Sequence, residues 1–177
     1  MAFFVPLNVL MNMNYVILDI EYVQLSKKRN GKKGNPEPGK RSKVHQCIRK
    51  AVVLNYDDHF DTWEARPCID FEKLDPKEQK HFEWCSRILH HLKYHPDKGF
   101  KFCSNMMSAF RRYVWDYGID IILYKGGLIE AEIADKLGLP SLNLEVYGVS
   151  KATSHDPLSE IRGYKKELIK NFEQTRT

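Results

Sequence analysis

The sequence predicts an α/β fold in which helices cover both faces of a mixed β-sheet. Three observations support this prediction. The first half contains several runs rich in β-branched and aromatic residues, which are typical of strands. The second half alternates short apolar runs with helical patterns, which predicts βαβ crossovers. The 177 residues suit one domain of ordinary size.

The strands follow from local patterns. YVILDIEYVQL at 15–25 predicts a central strand, VHQCIRKAVVLN at 44–55 a second, and the weaker FDTWEARPCI at 60–69 a third, together forming a meander. IDIILY at 119–124 is wholly apolar, which predicts a strand buried on both faces. LNLEVYG at 142–148 predicts the last strand.

The helices follow from their start and stop signals. Asp75 and Pro76 predict a helix through His91, because Asp is a good cap and Pro suits the first turn. Ser104 is the predicted cap of a second helix that ends at Tyr117. The remaining helices are LIEAEIADKL, between the Gly126-Gly127 turn and Gly138, and a final one from a Ser154 cap to about Phe172.

Composition excludes several classes of protein. Apolar residues make up 42% and charged residues 29%, which excludes a fully disordered or fibrous chain. No run approaches about 18 apolar residues, so no membrane span is predicted. The start lacks the cationic region of a secretory signal. The four widely spaced cysteines form no CxxC pair, so a zinc ribbon is not predicted. Because they lie mostly in apolar segments and no secretory signal is predicted, we expect reduced, buried thiols and an intracellular location, in the cytoplasm or nucleus.

The positive charge is concentrated in one segment. Residues 26–43 (SKKRNGKKGNPEPGKRSK) hold eight basic residues and one acidic residue, whereas the rest holds 20 and 22. This Gly- and Pro-rich segment is predicted to be an exposed cationic loop. The predicted organisation is an N-terminal extension at 1–14, one domain at 15–172 that contains the loop, and a tail at 173–177.

Asp19 and Glu21 stand two residues apart in the first strand, so both carboxylates point to one face. On a central strand they repel each other and lose hydration unless a cation shares them. Carboxylate oxygens are ligands that Mg²⁺ and Mn²⁺ prefer. The pair therefore indicates a metal site, and the alternative is an edge strand with a solvated outer face.

Two later segments add candidates. Glu130 follows a buried strand and the Gly126-Gly127 turn, and the carboxyl ends of strands hold the ligands in open α/β sheets. The alternative is a first-turn glutamate favoured by the helix dipole. His155 and Glu160 begin the last helix, about one and a half turns apart, so both can face the sheet edge. There the alternative is that Ser154 or Asp156 caps the helix and His155 is exposed.

Together these segments resemble the DEDDh-type 3′–5′ exonucleases of the ribonuclease H-like family, such as ribonuclease T, oligoribonuclease and proofreading subunits. LDIE is similar to the first motif, YKGGLIE to the second and HDPLSE to the third, and the likeness spans roughly residues 15–172 with its strand order. The chain also resembles a divergent group of exonuclease-like proteins from viruses, insects and other animals. That group shows a His-His-Gly-like stretch (LHHLKYHPDKG in this sequence), a Lys-Gly turn and a late His with Glu.

The resemblance implies hydrolysis of single-stranded RNA or DNA from the 3′ end, with two Mg²⁺ or Mn²⁺ ions. The implied metal ligands are Asp19, Glu21, Glu130 and Glu160, and His155 is the implied general base. The family usually has Asp where Glu130 and Glu160 stand, and His-Asn in place of Lys125-Gly126. Rival acids are Glu132, Asp135 and Asp156. The alternative function is a catalytically inactive ribonuclease H-like module that binds nucleic acid or a protein partner.

Weaker signals complete the sequence. The loop follows the strand of Asp19, and its cations are predicted to attract phosphates there. These cations are Lys27, Lys28, Arg29, Lys32 and Lys33. A solvated segment or a nuclear import signal is the alternative for the loop. The histidines and cysteines between 81 and 103 form no two-plus-two zinc pattern, and helical spacing sets Cys85 beside Leu89 instead of a histidine. Four aromatic residues are predicted to be mostly core: Tyr22, Trp115, Tyr124 and Tyr147.

Overall fold

A five-stranded mixed sheet organises the computed structural model, which describes residues 5–26, 44–65, 71–90, 92, 106–150 and 156–175. The strands are β1 (Tyr15–Ser26), β2 (Val44–Asn55), β3 (Phe60–Glu64), β4 (Ile121–Tyr124) and β5 (Ser141–Asn143). The α-helices are α1 (Leu7–Leu10), α2 (Pro76–Trp84), α3 (Met107–Asp116), α4 (Leu128–Leu137) and α5 (Pro157–Gln174). A π-helical turn, Cys85–Leu89, continues α2, and 3₁₀ turns occupy Phe71–Lys73 and Leu144–Tyr147.

The strand order is β3-β2-β1-β4-β5. The first three strands form an antiparallel meander, whereas β1–β4 and β4–β5 are parallel. A parallel pair needs a crossover, and α4 provides the one from β4 to β5. The predicted α/β class with a mixed sheet is confirmed, and β1 is its central strand.

Each face of the sheet has its own core, because the side chains of β1 alternate. Val16, Leu18 and Ile20 pack in one cluster with residues of α3 and α4. Tyr15 and Ile17 pack in the other cluster with residues of α5, and Leu10 of α1 joins them. Helices therefore lie on both faces, as predicted. Within the described ranges, no helix combines the length and apolarity that crossing a bilayer requires.

Side-chain caps set the starts of α2 and α5. Asp75 accepts from the amides of Lys77 and Glu78, and Glu78 completes the capping box, as the Asp-Pro signal predicts. The predicted Ser154 cap of the last helix is wrong. Asp156 is the cap instead, because its carboxylate accepts from the Ser159 amide and Pro157 stands at the first helical position.

The predicted strand at 142–148 is also wrong over most of its length. The strand β5 ends at Asn143, and a 3₁₀ turn follows. Asn143 caps that turn by accepting from the Glu145 amide, and Gly148 closes it with a φ of 74°. A side chain that satisfies the backbone locally competes with the sheet ladder, and here the local bond replaces it.

Other boundaries differ by a few residues. Strand β3 ends at Glu64, strand β4 begins at Ile121, and helix α5 runs to Gln174. The helix α1 lies inside the predicted N-terminal extension. Residues 66–70, His91 and Ser104 lie outside the described residues.

A buried lysine ties α5 to the turn between β2 and β3. The Lys165 ammonium donates to the carbonyl oxygens of Asn55 and Tyr56, at 2.9 and 2.8 Å, and pairs with Asp58 Oδ1 at 2.7 Å. All three donors of the ammonium therefore have partners, which is what a buried charge requires. The contact fixes α5 against the end of β2 that lies beside the start of β1.

Candidate active site

Strand β1 extends beyond its parallel neighbour β4, and the predicted acid pair lies on that extension. The last β1–β4 pair joins Leu18 to Tyr124, whereas the β1–β2 ladder continues through Asp19 and Glu21. Both acids lie on the β1 face that packs against α5, because they alternate with the residues of the α3 and α4 core. Opposite the step from Glu21 to Tyr22 the ladder shifts, and a bulge of this kind re-aims nearby side chains.

Glu130 reaches this edge from the first turn of α4. It is only 4% exposed. Its Oε2 lies 3.0 Å from the position that a Cβ on Gly127 would occupy, so the carboxylate folds back over the start of its helix. Burial raises the pKa of Glu130, while hydrogen bonds from the backbone amides of Glu130 and Ile20 partly oppose that rise. The Glu130 carboxylate therefore lies near β1 at Ile20, the next residue after Asp19.

Glu160 approaches from the opposite face of the sheet, on the first turn of α5. It is partly buried, and the Tyr164 hydroxyl donates to its Oε2 at 3.3 Å. The amide of Glu160 donates to the Asp156 carbonyl, which places the side chain directly after the helix cap. The Asp-Pro start of α5 therefore sets the position of this acid.

Three of the predicted acids lie near enough to Asp19 for their charges to act on it. Burial raises the pKa of Asp19 well above its ordinary value, and the charges of Glu21, Glu160 and Glu130 raise it further. Within the described part of the chain, Asp19 Oδ2 and Glu130 Oε2 are buried and have no hydrogen-bond partner. Buried carboxylate oxygens without partners are costly unless a cation or proton reaches them. We call Asp19, Glu21, Glu130 and Glu160 the acid cluster.

The carboxylates of the acid cluster do not point at a common centre. Glu21 Oε2 faces His90 Nδ1 at 2.6 Å, and the Glu130 carboxylate lies over Gly127. Among the residues that the structure covers, no three His, Cys, Asp or Glu side chains are arranged to hold a metal ion. Carboxylates that repel one another separate in this way, and rotation of their side chains would be needed to form a ligand set.

Comparisons with known proteins do not assign a family. No family model matches the chain, and no curated protein matches it. Among solved structures, the chain is similar to the family B DNA polymerase from the hyperthermophilic archaeon Pyrobaculum calidifontis, with 16% identity and a TM-score of 0.30. The match covers 72% of this chain and 12% of the polymerase chain. A likeness at this TM-score carries no argument about function.

The rival acids occupy other positions. Glu132 and Asp135 are exposed on α4, and Asp156 is engaged as the cap of α5. None of the three is among the charges that raise the pKa of Asp19. Glu130 and Glu160 are therefore better placed than their rivals to act with Asp19.

Two predicted parts of the site lie outside the described residues. One is His155, the implied general base, which precedes the cap of α5. The other is the cationic loop, with Lys27, Lys28, Arg29, Lys32 and Lys33. Their roles stay predictions.

His90 is a residue of this site that sequence reasoning missed. It follows the π-helical turn after α2, and its side chain is 7% exposed where it contacts Glu21. No local pattern indicates such a contact, because it joins a helix end to a strand far away along the chain.

The prediction from helical spacing that no histidine lies beside Cys85 is wrong. His81 precedes it by one helical turn, and the His81 Nε2 atom lies 3.6 Å from Cys85 Sγ. Burial raises the pKa of the Cys85 thiol. Cys47 and Cys85 are buried thiols as predicted, and Cys68 and Cys103 lie outside the described residues.

The four aromatic residues that were predicted to be mostly core differ in burial. Tyr147 is buried, and its hydroxyl donates to the Val5 carbonyl at 2.7 Å. Tyr22 and Tyr124 are half-buried. Trp115 is 86% exposed, so its assignment to the core is wrong. The amphipathic face of α3 is formed by Met107, Phe110 and Tyr113, and Trp115 lies on the other side of the helix.

The acid cluster predicts how stability depends on pH. Because the pKa of Asp19 is raised on folding, the metal-free native state binds a proton more tightly than the unfolded chain does. Its contribution to stability is therefore full below the ordinary carboxyl pKa of about 4 and is lost as pH rises through the raised pKa. We expect Asp19→Asn to remove this part of the decline, so that its stability advantage over wild type grows with pH. Urea unfolding of both proteins in EDTA between pH 4 and 8 measures it, and parallel curves would contradict it.

Proposed function

We propose that the chain is a metal-dependent 3′–5′ exonuclease of the DEDDh type on a ribonuclease H-like fold, which hydrolyses single-stranded RNA or DNA. The observation that supports this function best is the acid cluster. A strand and two helices on opposite faces of the sheet bring three carboxylates around Asp19, and two buried oxygens have no hydrogen-bond partner within the described residues. The meander followed by parallel crossovers is also the sheet that the family resemblance implies.

The donor set suits Mg²⁺ or Mn²⁺. Both are hard cations that prefer carboxylate oxygens, and Asp19, Glu21, Glu130 and Glu160 would hold them. When bound, two such ions would supply positive charge that stabilises the attacking and leaving oxygens of a phosphodiester. A neutral His155 would accept the proton of the attacking water, and the cationic loop would hold phosphates of the substrate strand.

A catalytically inactive module is the second candidate, and specific observations favour it. Glu21 is engaged by His90 at 2.6 Å, which occupies one oxygen of a proposed ligand. Lys125, at the position where the family usually has the His of its His-Asn turn, pairs with Glu145 at 2.5 Å. A module of this kind would bind nucleic acid or a protein partner without metal.

One experiment separates the two candidates. We expect Mn²⁺ to raise the melting temperature of the EDTA-treated protein, since a ligand that binds only the native state stabilises it. In the same preparation, a single strand labelled at its 5′ end should shorten progressively from the 3′ end. Glu130→Gln should lose both effects, and the exposed Glu132→Gln on the same helix should keep them. Absence of both effects in the wild-type protein would reject the exonuclease and favour the inactive module.

The cationic loop makes a separate prediction about binding. Replacing Lys27, Lys28, Arg29, Lys32 and Lys33 with Gln should weaken binding of single strands and flatten its salt dependence, since each phosphate contact contributes a slope of roughly −0.7. Sequence preference should not change, because phosphate contacts carry no base information. Fluorescence anisotropy at several salt concentrations measures the slope, with Lys77→Gln and Lys80→Gln on α2 as the control. An unchanged slope would leave the loop as a linker or an import signal.

A further inference from the structure

His90 contacts the acid cluster from a third direction. Its Nδ1 lies 2.6 Å from Glu21 Oε2, and the two side chains are 7% and 16% exposed. The backbone amide of His90 donates to the Cys85 carbonyl, five residues earlier, so the wide π-helical turn directs the ring at β1. Turns of this kind are frequent at functional sites.

The contact is incomplete as a hydrogen bond. The distance is that of a charge-assisted bond, but the angle is not, and neither ring nitrogen has a hydrogen-bond partner among the described residues. An imidazole buried in this way costs free energy that an apolar side chain would avoid. Rotation of the ring or the carboxylate would be needed to complete the bond between Nδ1 and Oε2.

We propose that His90 is a positioning residue for metal binding at the acid cluster, an inference that rests on the proposed function. With the bond completed, Nδ1–H would hold Glu21 Oε2 and limit the rotation of that carboxylate, while Oε1 would stay outside the contact and free to bind the metal. Carboxylates that ligate metals are generally held by such outer contacts, and loss of the partner costs about 10- to 100-fold in metal affinity. The contact that holds one oxygen of Glu21 is therefore the one that positions this carboxylate for metal binding.

Asparagine and glutamine distinguish positioning from packing. The amide nitrogen of Asn is bonded to Cγ, as Nδ1 of His is. The amide nitrogen of Gln is bonded to Cδ and so lies one bond farther from the backbone. We expect His90→Asn to retain most of the Mn²⁺ affinity. His90→Gln and His90→Ala should lose about 10- to 100-fold. His81→Ala, on the exposed side of the preceding helix, is the matched control and should bind as wild type does.

The experiment is a Mn²⁺ titration of the full chain, followed by the Mn²⁺ electron paramagnetic resonance signal, beside urea unfolding of each metal-free variant. A wild-type protein that binds no Mn²⁺ would reject the proposed function, and this inference with it. Wild-type binding together with unchanged affinity in His90→Ala would overturn the positioning role alone. Equal losses in the Asn and Gln variants would also overturn it, because the position of the donor would not matter. If His90→Ala does not fold, the Asn and Gln pair decides.

Discussion

Asp19→Ala is expected to abolish metal-dependent hydrolysis while leaving the fold intact. Charge stabilisation by bound metal contributes several kcal/mol to phosphodiester hydrolysis, and about 1.4 kcal/mol corresponds to tenfold in rate, so we expect a loss of about 10³-fold or more. The free energy of unfolding of the metal-free protein should hold or rise. Asp19 is the carboxylate on which burial and three neighbouring charges act together, so its removal relieves an unfavourable native state.

Single-turnover degradation of a labelled strand in Mn²⁺, with urea unfolding in EDTA, measures both quantities. Glu64→Ala is the matched control, because Glu64 is an exposed acid on a strand of the same sheet. Residual hydrolysis of equal rate in wild type and Asp19→Ala, from preparations purified alike, would identify a contaminating nuclease. A large loss of stability in the variant would show instead that the carboxylate supports the fold.

His155→Ala is expected to lower the rate about 10²- to 10⁴-fold, the usual contribution of a positioned base. Metal binding should stay nearly intact, because the imidazole is not a ligand in the proposed scheme. Since a base must be neutral to accept a proton, the wild-type rate should fall at acid pH, and this limb should be absent from the variant.

Glu160→Ala provides the contrast, since it should lose metal binding as well as rate. A pH–rate profile with a Mn²⁺ titration of each variant separates the two residues. Loss of Mn²⁺ binding in His155→Ala would make the imidazole a ligand. An unchanged rate would leave His155 as an ordinary residue at the start of α5 and would favour the inactive module.

The fold was predictable where one local signal dominated. Alternation and β-branched residues place β1 to within one residue, and β2 fully. Helix α4 is bounded as predicted, because Gly127 precedes it and Gly138, with a φ of 71°, ends it in a conformation that favours glycine. The errors occur where a single polar side chain decides, as Asn143 does after β5 and Asp156 does before α5.

The acid cluster was partly predictable for a related reason. Alternation sets Asp19 and Glu21 on one face, and helix starts indicate Glu130 and Glu160, but only the tertiary structure shows the three charges acting on Asp19. His90 was not predictable, because its contact depends on an extra residue in a π-helical turn and on where that turn packs.

The contacts of Lys165 link the position of Glu160 in the acid cluster to the turn between β2 and β3. Glu160 and Lys165 both belong to helix α5 and lie five residues, or about 7.5 Å, apart along its axis. Lys165 holds this helix at the turn after β2 by donating hydrogen bonds to the carbonyl oxygens of Asn55 and Tyr56. Displacement at the Lys165 contacts would shift Glu160, so a substitution in the turn between β2 and β3 is expected to change the arrangement of the acid cluster without altering any of its four acids.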